Sequence, residues 1–311
     1  MKLATVRTAS GAQHPALVLD DGASYLLLDL AWRTHTGSDS GHLRSMLSII
    51  DGGDEARQQI DDVSHVAPDV ACVDADQVRL LPPLPDPRQI RDFGCFPDHF
   101  RNARARRDGV PPASVVLPPI MLERPLYYLV NRLALAGHDD DIAWPAYSHV
   151  RDYELEFACI LGRGGCDIAA SSADTHIFGY TIFNDFSARD TQAEEVASGL
   201  GMSKGKDFDR ANSFGPWIVT ADELTDPYRL DMVARINGEE VSRGRTETMH
   251  HRFADLIAFT STATTLHAGE MLCSGTVATG CGLETGCFLQ PGDTIELEVS
   301  GIGTLRNKVV S

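Results

Sequence analysis

Four prolines, Pro82, Pro83, Pro85 and Pro87, fall within the stretch LPPLPDPR. A segment with so many fixed φ angles and missing N–H donors can continue neither a helix nor a central strand. It divides the chain into residues 1–84 and 85–311, two parts long enough to bury cores of their own. Beyond the division the sequence is written in short β-rich runs: QIRDFGC, PLYYLV, DYELEFACILG, IFGYTIFND, PWIVT, LDMVARING, TIELEVSGIG and TLRNKVV. Runs of this length, bounded by turn-forming residues, predict a predominantly stranded larger part. Strand and helix alternate too irregularly for a doubly wound parallel sheet, which argues against a nucleotide-binding fold.

The shorter part opens with KLATVRT and PALVLDDGASYLLLDL, where Asp21-Gly22 sits between apolar stretches as in a hairpin turn. HLRSMLSIIDGGDEARQQIDDV then spaces its apolar residues at helical intervals and is interrupted by Gly52-Gly53, which predicts one or two short helices. With 27 Lys+Arg against 44 Asp+Glu, the net charge of −17 opposes binding to a phosphate backbone or an anionic membrane. No run approaches the roughly 18 apolar residues of a membrane span, and MKLATVRTASGAQ lacks the apolar core of a secretory signal, so a cytoplasmic location is expected. Seven cysteines without a C-x-x-C pair argue against both a disulfide framework and a structural zinc site.

Carboxylates carry the chemistry. In Asp152-Tyr153-Glu154-Leu155-Glu156-Phe157, a strand would place Glu154 and Glu156 on one face, followed there by Ala158 and Ile160. Two neighbouring carboxylates repel unless a proton or cation lies between them, although a solvated strand face would also carry them. Asp185 closes the apolar run IFGYTIFND, and Asp92 lies between apolar neighbours in QIRDFG. Either aspartate taken alone reads first as a turn or cap residue. As a set, the four supply an all-oxygen site suited to Mg²⁺ or Mn²⁺, with Ca²⁺ also admitted.

Several strings together resemble the fumarylacetoacetate hydrolase superfamily. They are Asp152-Tyr153-Glu154-Leu155-Glu156, Gly179-Tyr180-x-x-x-Asn184-Asp185-x-Ser187-Ala188-Arg189-Asp190-x-Gln192, Lys204-Gly205-Lys206-Asp207-Phe208 leading to Gly215-Pro216-Trp217, Ser274-Gly275-Thr276, Pro291-Gly292-Asp293, and Gly301-Ile302-Gly303-Thr304-Leu305-Arg306-Asn307. The resemblance runs in order from about residue 85 to the last residue, 311. It implies an α+β, mainly β fold: a fumarylacetoacetase C-terminal-like mixed β-roll or barrel domain preceded by a small N-terminal α/β domain. By position it implies Asp92, Glu154, Glu156 and Asp185 as metal ligands, His99 as catalytic base and Glu284 as the carboxylate orienting it. Lys206 falls at a catalytic position, and Arg189, Gln192 and Thr276 at positions that polarise or hold substrate. A substrate tyrosine is expected before Gly137, and both Tyr127 and Tyr128 fit. His267-Ala268-Gly269-Glu270 stands where many relatives have a Pro-Gly-Asp turn.

The activity so implied is metal-dependent hydrolysis of a carbon–carbon bond in a 2,4-dioxo acid, an acylpyruvate or fumarylacetoacetate-like compound, by water that His99 deprotonates. The same constellation would also serve an isomerase, hydratase, lyase or decarboxylase of 2-oxo acids. A catalytically idle metal-binding protein is a third reading. Relatives usually pair as homodimers, and the expected ligand is a small 2-oxo acid. Other motifs fail on spacing: Gly162-Arg163-Gly164-Gly165-Cys166-Asp167 has Asp167 where a dinucleotide loop needs glycine, and His250-His251 lacks the i, i+4 spacing of a helical metal pair and reads as surface.

Overall fold

The computed structural model describes residues 1–199 and 201–311. The fold is mixed α and β, mainly β, and among the described residues its sheets are open rather than closed into a barrel. Among the described residues a 12-stranded sheet forms the backbone of the molecule. Its central strands run in the order Lys2–Thr8, Asn212–Thr220, Ile177–Asp185, Leu155–Leu161, Glu270–Cys273, Gln89–Phe93 and Tyr127–Val130, the last at an edge. A five-stranded sheet orders Glu239–Arg245, Asp231–Ile236, Thr294–Val299, Gly303–Val310 and Asp141–Ala143.

Period-2 alternation along Leu155–Leu161 builds two cores at once. Leu155, Phe157, Cys159 and Leu161 join a core with Met232, Leu297 and Leu305 of the smaller sheet. Ala158 and Ile160 point the other way, into a core with Ile49, Ile50 and Ile60 of the helix Met46–Val66. A large sheet covered on both faces thus surrounds its middle strands with apolar packing, each fully buried large side chain contributing about 1.5–3 kcal/mol.

The Met46–Val66 helix starts on Ser45, whose hydroxyl accepts from the Ser48 N–H at 3.1 Å. It bends at Gly53, where φ 51° and ψ −127° belong to a region open to glycine. The expected hairpin is present: Gln13–Leu19 pairs with Ser24–Leu27 through the turn Asp20–Gly22. The proline-rich segment is packed rather than loose, with Leu84 buried and the Thr5 hydroxyl donating to Pro83 O at 2.7 Å. Lys2–Thr8 pairs antiparallel with Asn212–Thr220, so the main sheet runs through both parts of the chain. All seven cysteines are free, and no helix among the described residues is long and apolar enough to cross a membrane.

His267-Ala268-Gly269-Glu270 keeps a tight turn, with Gly269 at φ +76° and the Glu270 N–H donating to His267 O at 3.2 Å. Glu270 adds a carboxylate that accepts from the His267 N–H at 3.0 Å and pairs with Arg91 in the interior. Breaking a buried pair leaves one charge uncompensated, so Glu270→Ala is expected to cost about 3–5 kcal/mol in urea unfolding. Replacing both members by leucine should recover most of that loss. A single variant as stable as the parent would show that the pair contributes nothing. His251 departs from the surface reading: it is buried, its ring 4.5 Å from that of the exposed His250, whose Nε2 lies 2.9 Å from Leu122 O.

Candidate active site

Strand register gathers the carboxylates. Leu155 pairs with Asn184, which sets the start of Leu155–Leu161 beside the end of Ile177–Asp185. Glu270–Cys273 lies between Leu155–Leu161 and Gln89–Phe93, with Cys273 opposite Ala158 on one side and Asp92 on the other. The result brings Asp92, Glu154, Glu156 and Asp185 together, with one oxygen from each within 4.8 Å of the others. All four are buried, Glu156 and Asp185 completely. The two glutamates therefore do not form a solvated face.

Four buried negative charges cannot coexist without compensation. Lys206, itself buried, donates from Nζ to both Glu154 Oε2 and Asp185 Oδ2 at 2.5 Å. The Tyr128 hydroxyl donates to Asp185 Oδ2, and the Gly275 N–H to Glu156 Oε2 at 3.1 Å. Burial, then the charge of Asp185, pushes the Asp92 carboxyl well up, and burial with the charges of Asp92 and Glu154 does the same to Glu156. Burial lifts Asp185 to about 6 against the pull of Lys206. At Glu154 burial is outweighed by Lys206, Arg189 and His99, which together hold the carboxyl well below its usual range.

Asp92 Oδ1 and Asp185 Oδ1 find no hydrogen-bond partner among the described residues. Unpartnered oxygens in a group of hard donors match the needs of Mg²⁺ or Mn²⁺. Cys273 also lies close to Asp92 and Glu156, but burial raises its thiol far above the ordinary value and keeps it neutral. Gly275 completes the wall at φ +79°: a Cβ there would lie 2.0 Å from Phe93 O, so only glycine allows the backbones to approach so closely.

Beside this centre lies an imidazole–carboxylate pair. The helix Pro97–Asp108 carries His99 inward, where its Nδ1 is 2.7 Å from Glu284 Oε1 on the short helix Gly282–Thr285. Glu284 is itself held, with Oε2 accepting from Asn102 Nδ2 at 3.0 Å and the Thr279 N–H at 2.7 Å. With Nδ1 committed, Nε2 is the ring nitrogen left to exchange a proton. Asn102 was not singled out from sequence, although its i, i+3 spacing from His99 on a helix is a readable signal.

The remaining residues divide. Tyr128, opposite Asp92 in the strand register, reaches the carboxylates, whereas Tyr127 points away, is 40% exposed and packs 5.0 Å from the Phe93 ring. Thr276 is buried with its hydroxyl 3.4 Å from Glu156 Oε1. Arg189 is buried and committed to the protein: Nε to Asp152 Oδ2 at 2.7 Å, Nη2 to Glu154 Oε1 at 2.7 Å and Nη1 to Gln192 Oε1 at 2.9 Å. Gln192 thus meets Arg189 through its oxygen and Met202 Sδ through its nitrogen, at 3.0 Å.

An open, doubly covered mainly β sheet holding a buried acidic centre next to a histidine–glutamate pair defines a protein built around a candidate hard-metal site. The family model for the fumarylacetoacetate (FAA) hydrolase C-terminal domain matches residues 88–310, and the chain belongs to that family. Human mitochondrial oxaloacetate tautomerase is 34% identical over 189 residues, a match spanning 60% of this chain and 60% of that protein. The structure of fumarylacetoacetate hydrolase from psychrophilic Exiguobacterium antarcticum superposes with a TM-score of 0.78 at 29% identity, covering 100% of this chain and 99% of that one. That of 5-carboxymethyl-2-hydroxymuconate delta-isomerase from Mycobacterium smegmatis gives 0.71 at 26%, with the same coverage. Hydrolase, isomerase and tautomerase are all represented among these enzymes.

Proposed function

We propose that this chain is a divalent-metal-dependent enzyme of small 2-oxo acids that hydrolyses a carbon–carbon bond in a 2,4-dioxo acid. The observation that carries the reading is the buried His99–Glu284 pair set beside four carboxylates. Asp92, Glu154, Glu156 and Asp185 would hold Mg²⁺ or Mn²⁺. When bound, the cation supplies a Lewis acid for the oxygens of the 2-oxo acid end.

The chain's own residues do the rest. Glu284 fixes His99 with Nδ1 towards the carboxylate, so Nε2 takes the proton of a water molecule, and the hydroxide adds to the C4 carbonyl. Cleavage of the C3–C4 bond leaves its electron pair on C3, which is protonated to give a 2-oxo acid beside a new carboxylic acid. Lys206, kept charged by Asp185 and Glu154 despite its burial, is placed to offset negative charge that develops on the substrate oxygens.

The names of the human tautomerase and the mycobacterial isomerase favour one other outcome, in which His99 moves a proton between carbon and oxygen without adding water. Turnover of an acylpyruvate in H₂¹⁸O with Mg²⁺ separates the two. Hydrolysis places ¹⁸O in the released carboxylate. Keto–enol or double-bond exchange without cleavage would replace the hydrolytic reading.

The enzyme works in the cytoplasm, in keeping with its free cysteines, and its net charge of −17 opposes nucleic acid as a partner. It pairs with a second copy through the edge strand Tyr127–Val130 and its flanks, where Leu126, Leu129 and Leu133 stand 42%, 60% and 80% exposed. Light scattering is expected to report twice the 33.8 kDa chain mass, falling to one chain in Leu129→Asp/Leu133→Asp. A parent protein of single mass would remove the dimer from this account.

A further inference from the structure

Asp152 has no role in the chemistry above, yet it is completely buried and accepts four hydrogen bonds. Its Oδ1 receives the N–H groups of Tyr153 at 2.9 Å and Gly282 at 2.6 Å, and its Oδ2 those of Leu283 at 3.0 Å and Arg189 Nε at 2.7 Å. Four donors use the whole accepting capacity of a carboxylate. Two of them, Gly282 and Leu283, open the short helix that carries Glu284. Another is the guanidinium whose Nη2 grips Glu154 Oε1 at 2.7 Å.

We propose that Asp152 and Arg189 form a buried positioning strut that ties the acidic centre to the His99–Glu284 pair and sets the two in register. The inference rests on the proposed function, because it assigns the strut to the two halves of that site. Local construction supports it. A Cβ on Gly282 would lie 2.6 Å from Asp152 Oδ1 and 2.7 Å from Cys287 O, so glycine is what lets the Glu284 helix close on the carboxylate. Arg151–Asp152 and Ser187–Ala188 pair as a separate two-stranded ribbon, and the Arg189 N–H donates to Val150 O at 3.0 Å, which fixes the strut's two backbones against each other. A planar guanidinium holds Asp152 through Nε and Glu154 through Nη2 at the same time; the compact ammonium of a lysine lacks that fixed fork.

The 311-residue chain tests this with two readouts that need no substrate: calorimetric titration with MnCl₂, and the ¹⁵N-bound Nδ1 proton resonance of His99, identified by its loss in His99→Ala. Asp152→Asn keeps the shape but presents an NH₂ to groups that are themselves donors. It is expected to weaken Mn²⁺ binding by about 10–100-fold, the usual range for residues that orient ligands, and to shift or broaden the His99 resonance. Asp139→Asn, which breaks a half-exposed pair with Arg306, should change neither. Should Asp152→Asn not fold, Arg189→Lys keeps the buried positive charge and is expected to move both readouts in the same way. A change in only one readout, or in neither, would overturn the strut. A parent protein that takes up no divalent cation would instead overturn the proposed function, and the strut with it.

Discussion

His99→Ala is expected to lower turnover by about two to four orders of magnitude, the range associated with a positioned general base. The size follows from the geometry: Glu284 accepts at Nδ1 from 2.7 Å and is itself held by Asn102 and the Thr279 backbone, so one carboxylate fixes the tautomer and orientation of the ring. Glu284→Gln should act in the same direction with a smaller loss. It still reaches Nδ1 but lacks the charge that stabilises an imidazolium. Because the two side chains act as one unit, the double variant should be little slower than His99→Ala alone. Neither ring nor carboxylate belongs to the four-carboxylate group, so Mn²⁺ affinity measured by calorimetry should change far less than turnover. Full activity in His99→Ala would leave the water-activating role without a residue.

Stripping and restoring the divalent cation should have the second large effect. The Asp185 carboxyl is lifted by burial from 3.8 to about 6, so folding takes up a proton there between those values. A carboxyl raised on folding stabilises the metal-free protein fully below its unfolded pKa, and that contribution is lost as pH rises through about 6. The upward shifts of Asp92 and Glu156 act with the same sign. Metal-free protein should therefore weaken from about pH 4 to pH 7, and Mg²⁺ or Mn²⁺ should stabilise it most at the upper end, with proton release on binding. At a hundredfold excess over Kd the gain is about 2.7 kcal/mol. Glu154→Gln should remove most of it, whereas Glu247→Gln, on an exposed turn, should not. A melting temperature indifferent to divalent cations at pH 7 would rule out the metal centre.

Much of this site could be read from residue order because side-chain direction along a strand is a local property. Alternation through Tyr153, Glu154, Leu155, Glu156 and Phe157 put the two glutamates on one face before any partner was known. The Gly52-Gly53 interruption and the Asp21-Gly22 turn were legible for the same reason, since φ preferences belong to single residues. His99, Glu284 and Lys206 were legible only through resemblance. By residue type and neighbourhood alone, a histidine on an arginine-rich helix and a lysine between glycine and aspartate belong in water, yet all three side chains are buried.

Charge pairing and burial lie beyond local pattern. Arg189 meets Asp152 across 37 residues and Glu154 across 35, so nothing along the chain distinguished a guanidinium that holds the protein together from one waiting for substrate. Tyr127 and Tyr128 were equivalent by spacing until the pairing of Asp92 with Tyr128 turned one towards the carboxylates. The proline-rich division told where regular structure stops, but not that Lys2–Thr8 would return to Asn212–Thr220 and carry one sheet through both parts. Direction, turn and helix propensity come from the short-range sterics of each residue with its neighbours. Register between distant strands comes from which apolar faces can be buried together, and that choice turns four scattered carboxylates into one acidic centre.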